Sequence, residues 1–433
     1  MHMFDQSTKR CAADVAVSGC DRLHDIPMNA DSGRSELARD CVRGHADNRE
    51  QARSYFPVGL LVKRRICKLQ KLSILLATAF SFFWAIPGHS QQISPNNAKN
   101  IFGDATHPTS HWTGPQSGPA AHSDKTIAFI AEDLRNGGVL GVAQGVREAA
   151  KVIGWTVKVF DAGGNAAGRA KALADAAALR PDGVVLCGSD AQESKAGLAP
   201  FERRSVPVVG WHVGPEPGPI SNAHIAMNVT TDPLAVARVT ATAAVSQSKE
   251  RAGVVIFTDS NFAIAMAKAN AMADIIRACK TCALLEIRDV AISDSDKRMP
   301  TVTKELLALY GKRWTHALAI NDIYFDYATP VLTGIGMRSD ALSLLSAGDG
   351  SAAAFMRIRT KTFQTGTVAE PLNLHGWQIV DELNRLFAKQ PVSGFVAPVH
   401  LVTPDNIGLD GGNRLLYDPD NGYRDVYRRI WKR

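Results

Sequence analysis

The residues best suited to chemistry stand where apolar runs stop. Glu132, Asp133, Arg135 and Asn136 follow TIAFIA, Ser189 and Asp190 follow GVVLC, Trp211 and His212 close VPVVGWH, and Asn228 lies in HIAMNV. Further along, Asp259 and Asn261 follow GVVIFT, Asn321 and Asp322 follow HALAI, Asp349 follows LSLLSAG, and Glu370 follows QTGTVA. Carboxylates and amides of fixed direction pair with neighbouring hydroxyls, and an indole offers a flat apolar face. That set suits capture of a polyhydroxylated solute. Bond-making signatures are missing: no GxGxxG follows the first strand, no GxSxG elbow or P-loop occurs, and no His/Cys/Asp group has metal spacing. The expectation is a binding protein, not an enzyme, with no cofactor and no metal.

The elements that must position these residues alternate. From Lys125 onward, short apolar runs exchange with helical patterns such as GVLGVAQGVREAAKVIGW, where Val139, Ala143, Val146, Ala150 and Ile153 share one face. Each strand is a near-continuous apolar run, as strands covered by helices on both faces must be. The pattern gives two doubly wound, Rossmann-like α/β lobes. In TTDPLAVARV, Asp232 caps a helix and Pro233 suits its first turn, so the second half starts near Val229. In open parallel sheets ligands bind beyond the carboxyl ends of the strands, where the carboxylates, amides, Trp211 and His212 named first stand.

The 433 residues are 45% apolar and 21% charged, a globular composition. The net charge of +7 is concentrated early: residues 1–90 carry 13 Lys/Arg against 9 Asp/Glu, leaving 36 against 33 for the remainder, so no basic patch for nucleic acid is legible. Lys63, Arg64, Arg65, Lys68 and Lys71 precede the uncharged run from Leu72 to Ile86, which ends in Pro87, Gly88 and Ser90. Basic region, apolar core and small-residue end are the order of a cleaved secretory signal, here 63–90, and the run is shorter than the roughly 20 residues of a spanning helix. Residues 1–62 read as a disordered extension or a start assigned too far upstream, and 91–123 as an irregular leader. In IIRACKTCALLEI, Cys279 and Cys282 close a helix C-terminus, where a structural disulfide is expected rather than a redox pair. YDPDNGY lacks the glycine and glutamate positions of an EF-hand and reads as a polar turn.

Five segments in order carry a family resemblance: NGGVLGVAQGVREAAKVIGW, VPVVGWH, INDIYFDYATPVLTGIG, LLSAGDG and QTGTVAEPLNLHGW. Together, over residues 125 to about 410, they resemble the ribose- and galactose-binding type of periplasmic substrate-binding protein from sugar ABC transporters. The resemblance implies a type I periplasmic binding fold with a three-strand hinge, a solute held between closing lobes, and delivery to a membrane permease by a monomer. It implies lobes of 124–229 plus 370–397 and of 230–369 plus 398–433. By position, Asn136, Asn321 and Asp349 match hydroxyl-binding residues, Glu370 a hinge Gln, and Lys268 a ligand-binding Arg. Asp133, Trp211 and His212 complete the expected site.

The chain departs from that pattern too. His212 replaces an Asp, Val213 an Arg, and Gly138 and Val139 stand where stacking aromatics are found. Trp211 or Trp112 is expected to supply the missing face. Glu132, Asp133, Asp349 and Glu370 against Lys268 and Arg135 favour a neutral polyol or an amine-bearing solute over a sugar acid. A sensing role, with docking on a chemoreceptor or sensor kinase, uses the same fold and stays open. A sugar-responsive repressor would need a helix-turn-helix before residue 125, where a signal segment stands instead.

Overall fold

A computed structural model describes residue 101, residues 103–107 and residues 110–433. The expected signal segment 63–90 and the extension 1–62 lie outside the described residues.

The first lobe is built on strands β1 (Thr126–Ala131), β2 (Thr156–Asp161), β3 (Gly183–Cys187), β4 (Val208–Trp211), β5 (Gly218–Ile220) and β6 (Ile225–Val229), in the order β2-β1-β3-β4-β6-β5. The second uses β7 (Gly253–Thr258), β8 (Ala283–Asp289), β9 (His316–Ala319), β10 (Ser343–Ser346), β11 (Gln364–Val368) and β12 (Leu401–Val402), in the order β12-β11-β10-β9-β7-β8. All pairs are parallel except the edge strands β5 and β12. The strand β5 has no counterpart in the sequence reading. Its GPI segment carries Pro219, which an edge strand tolerates because no ladder hydrogen bond is demanded there.

Helices α1 (Gly137–Ile153), α2 (Ala166–Leu179) and α3 (Ala191–Arg203) connect the first sheet; α4 (Pro233–Gln247), α5 (Ala263–Ala278), α6 (Ser295–Tyr310), α7 (Ile323–Gly334) and α8 (Ala352–Arg359) connect the second. Helix α9 (Leu372–Phe387) returns to the first lobe and α10 (Tyr423–Trp431) ends the chain. The apolar stripe of α1 is wholly buried at Val139, Ala143, Val146, Ala150 and Ile153. It packs on α9 at a close crossing. A methyl group on Gly376 would stand 2.6 Å from the Gly145 Cα, so only hydrogen atoms fit there.

Two findings differ from the sequence reading. The family resemblance places residues 423–431 in the second lobe, but Tyr423, Val426, Tyr427, Ile430 and Trp431 belong to the first lobe's core with Trp377 of α9. The strongly amphipathic α10 had an apolar face that either lobe could bury, and the chain therefore crosses back after the 403–418 segment, whose Ile407 and Tyr417 pack with Phe355 of α8. The leader is also pinned to α9. Although residues 111–123 form no helix or strand, Arg385 Nη2 donates to Ser117 O at 2.6 Å and Asn384 Nδ2 to Pro119 O at 3.1 Å. Cys279 and Cys282 form a disulfide at the C-terminal end of α5, and Cys187 is buried in β3. No helix among the described residues is long and apolar enough to cross a membrane.

Candidate functional site

Between the carboxyl ends of the two sheets lies a cavity of about 480 Å³. Seven of the eight expected residues line it: Asp133, Asn136, Trp211, His212, Lys268, Asn321 and Asp349. Glu370 does not. It is 1% exposed and sits behind the wall, where the chain passes from β11 to α9.

On the first-lobe side, Asn136 caps α1 by accepting from Gly138 N at 2.9 Å. The carboxylate of Asp133 is taken by Arg135, whose Nη2 donates at 2.6 Å. Glu132 accepts from Arg169 Nε and Nη2 at 2.9 and 2.8 Å and from Ser189 Oγ at 2.5 Å. His212 adopts φ 53° at the end of β4 and stacks on Trp211, ring centroids 3.8 Å apart and planes 8° from parallel. Trp211 Nε1 donates to His375 Nδ1 at 3.1 Å, fixing the indole.

On the second-lobe side, Lys268 of α5 is 3% exposed and donates to Ala347 O at 2.8 Å. Asn321 Oδ1 accepts from Ile323 N at 3.2 Å and lines the cavity. Asp322, next in sequence, is buried and does not line the cavity. It accepts from the main-chain N–H groups of Asp349, Gly350 and Ser351 at 3.1, 2.8 and 2.9 Å, from Ser346 Oγ at 2.5 Å and from Gln364 Nε2 at 2.9 Å. Asp349 is the reverse case: 5% exposed, facing the cavity, its carboxylate makes no hydrogen bond among the described residues.

A buried ionic chain connects the lobes. His212 Nε2 meets Glu370 Oε2 at 2.9 Å and His212 Nδ1 lies 4.0 Å from Asp349 Oδ1, while Lys268 Nζ is 3.8 Å from Glu370 Oε1. Burial pushes the Asp349 carboxyl up to about 6, the nearby His212 and Lys268 only partly offsetting it. Burial would raise Glu370 as well, but His212, by charge and hydrogen bond, and then Lys268 outweigh it and hold Glu370 at about 2. Burial lowers His375 to about 4, so it is neutral, and accepting at Nδ1 leaves its proton on Nε2. Donor atoms of His212, Asp349 and Glu370 lie within 4.8 Å of one another, a spacing a metal ion could use. The His212–Glu370 hydrogen bond occupies two of the three, and Lys268 already brings positive charge to Glu370, so the donor set does not favour a metal.

Arg169 and Phe262 also line the cavity and did not stand out in the sequence as site residues, while Asp259 and Asn261, named at the end of β7, line it as well. Arg169 had a readable signal, four residues after the Asn165 cap and so one turn into α2. Half-buried Phe262 immediately precedes α5 and gives the cavity an aromatic wall besides Trp211. Trp112 does not serve there. It packs in the first lobe's core, 5.0 Å from Phe395 and 5.5 Å from Tyr427 by ring centroid. In YDPDNGY, Asp418 is taken by Arg424 Nη1 and Tyr423 Oη, each at 2.8 Å, which makes the segment a tied polar turn.

Residues 127–391 match the model of the periplasmic binding protein domain family. No curated protein sequence matches the chain closely enough to count as a relative. Among solved structures, an ABC transporter solute-binding protein of Agrobacterium vitis with bound allitol aligns with a TM-score of 0.57 at 19% identity, covering 66% of this chain and 97% of that one. A sugar ABC transporter subunit of Rhodobacter sphaeroides gives 0.56 at 20%, covering 65% and 99%. A solute-binding protein of Mycobacterium smegmatis with bound glycerol gives 0.58 at 18%, covering 66% and 97%. At these identities the likeness is one of fold. Since the family model spans more than half of the 433 residues, the chain belongs to the periplasmic binding protein domain family, two-lobed proteins of the type I fold that bind solutes rather than transform them.

Proposed function

We propose that the protein captures a neutral sugar or polyol between its lobes, in the periplasm after export through the 63–90 segment, and delivers it as a monomer to an ABC transporter permease. The observation that carries the reading is Asp349: a carboxylate 5% exposed, on the wall of an interlobe cavity, with no hydrogen bond among the described residues. A carboxylate opening on a cavity in this way accepts from two neighbouring hydroxyls of a polyol. The solute-binding proteins with allitol and glycerol show that this fold holds polyols.

Asn136 and Asn321 each use their carbonyl oxygen in a local cap, which turns the amide N–H groups into donors for solute oxygens. Trp211 and Phe262 supply apolar faces for ring or chain carbons. The cations on the wall are matched at close range, Arg169 by Glu132 and Lys268 by Glu370, which disfavours sugar acids. Because the solute touches both lobes only when they are closed, its binding energy selects the closed form that a permease reads.

A second reading has one observation in its favour. Glu132, Asp133, Glu193, Asp259 and Asp349 on the wall outnumber Arg169 and Lys268, a balance that suits an amine-bearing solute. A thermal-shift screen of pentoses, hexoses, polyols, sugar acids, amino sugars and small amines separates the two. A true solute at a hundred times its Kd stabilises the fold by about 2.7 kcal/mol. Hits among neutral sugars or polyols, lost in Asp349→Ala, are expected; hits confined to amines replace the first reading by the second, and hits confined to acids overturn both.

A further inference from the structure

At one point the lobes meet through bare backbone. Helix α1 begins with Gly137 and Gly138, and both face the 349–351 turn of the other lobe. A methyl group on Gly137 would stand 2.7 Å from the Ser351 Cβ, and one on Gly138 would stand 2.6 and 2.7 Å from Cγ and Cβ of Asp349. Real Cβ contacts do not come closer than 3.0 Å. The Asp349 contact reaches an atom bonded to the main chain, so no rotamer change relieves it.

Neither partner can give way cheaply. The turn is fastened to its own lobe by three N–H donors on Asp322 Oδ2, and Ser351 Oγ caps α8 by accepting from Ala354 N at 3.2 Å. The start of α1 is fixed by the Asn136 cap and by the close α1–α9 crossing at Gly145 and Gly376. Two fastened surfaces therefore touch at these glycines.

The backbone does not itself require glycine here. Gly137 and Gly138 are absent from the positive-φ positions, so any residue could adopt their conformation. Glycine in a helix is the poorer choice by up to about 1 kcal/mol relative to alanine. Gly164, which likewise faces the other lobe with Ser293 Cβ 3.0 Å from its missing Cβ, differs: its φ of 74° gives it a conformational reason as well. What Gly137 and Gly138 supply is room for the opposite lobe.

We propose that Gly137 and Gly138 form the seat on which the second lobe lands, so that side-chain volume at these two positions sets how far the cleft closes. They are positioning residues: neither lines the cavity, and they act by letting Asp349 reach it. Only the solute arm of the test below rests on the proposed function; the solute-free arm does not.

The experiment is hydrogen–deuterium exchange by mass spectrometry on the full chain, alone and with allitol or D-tagatose as probes. The segments read are 137–142 and 349–354, with β1 and β7 as reporters of each lobe's fold. In Gly138→Ala both seat segments are expected to exchange about tenfold faster or more, β1 and β7 to stay as in the wild type, and any affinity for the probes to fall by a comparable factor. Gly137→Ala acts in the same direction. Adding Ser351→Gly to Gly137→Ala removes the opposing Cβ, keeps a tolerated N-cap residue, and is expected to restore slow exchange at both segments; a merely local effect on α1 would not be rescued from the other lobe. Unchanged seat exchange in Gly138→Ala, or failure of Ser351→Gly to rescue, overturns the proposal. Should Gly138→Ala disturb β1, the Gly137→Ala and Ser351→Gly pair decides. If neither probe binds but the solute-free difference and its rescue appear, the seat stands and a polyol reading loses support.

Discussion

Asp322 and Asp349 end adjacent parallel strands, β9 and β10, and both are buried. Among the described residues Asp322 collects five hydrogen bonds and holds its neighbour's loop in place, while Asp349, on that loop, has none for its carboxylate. Identical side chains thus divide into a fastener and a hook. Residue type marks the candidates, and the number of donors around each decides its role.

The largest effect expected is on the fastener. Asp322→Ala leaves five donors without their acceptor and should cost about 3–5 kcal/mol in urea unfolding, since breaking a buried, fully bonded charge is among the most destabilising changes. A loss below about 1 kcal/mol would erase the contrast with Asp349.

Next comes pH. A carboxyl held at about 6 when buried contributes stability that is whole below its ordinary value near 4 and is lost as pH rises through about 6. From the size of that displacement, the solute-free protein should lose at most about 3 kcal/mol between pH 4 and 7, visible as a falling Tm. Asp349→Asn should flatten this part of the profile. Glu370 has the opposite sign: held at about 2, its contribution is present above about 4.5 and lost as acid passes through 2, so the two windows overlap only between about 4 and 4.5.

For binding, Asp349→Asn should weaken the solute found in the screen by about 30- to 100-fold, about 2–2.7 kcal/mol, by isothermal calorimetry. Its Tm without solute should not fall. Equal losses of stability and affinity would place Asp349 beside Asp322 as a fastener. The smallest effect is at the wall: Phe262→Ala should cost about tenfold in affinity, and no change would leave Trp211 to supply the aromatic contact.

Local pattern carried much of the fold. The stripe of α1, the near-continuous apolar strands and the Asp232–Pro233 start of α4 follow from periodicity and capping, which act over a few residues. The placing of α10 did not, because its apolar face suits either lobe and only the aromatic cluster around Trp377 selects one. Edge strand β5 was hidden by its brevity and its proline. For the site, strand-end position found six of the seven expected wall residues and the family resemblance the seventh, Lys268 on α5, but Phe262 and Arg169 belong to helix starts, which strand-end reasoning does not reach.

By itself the sequence determined that strands and helices alternate in two lobes and that polar groups gather at the strand ends, because hydrophobic period and turn chemistry are short-range. Only the tertiary structure decided which of those groups are spent. Asp322 is satisfied by residues 24 to 42 positions away, Glu370 is withdrawn behind the wall by His212, and Gly137 and Gly138 meet a turn more than two hundred residues later in the chain. Contacts at that separation arise from packing, and a local pattern does not encode them.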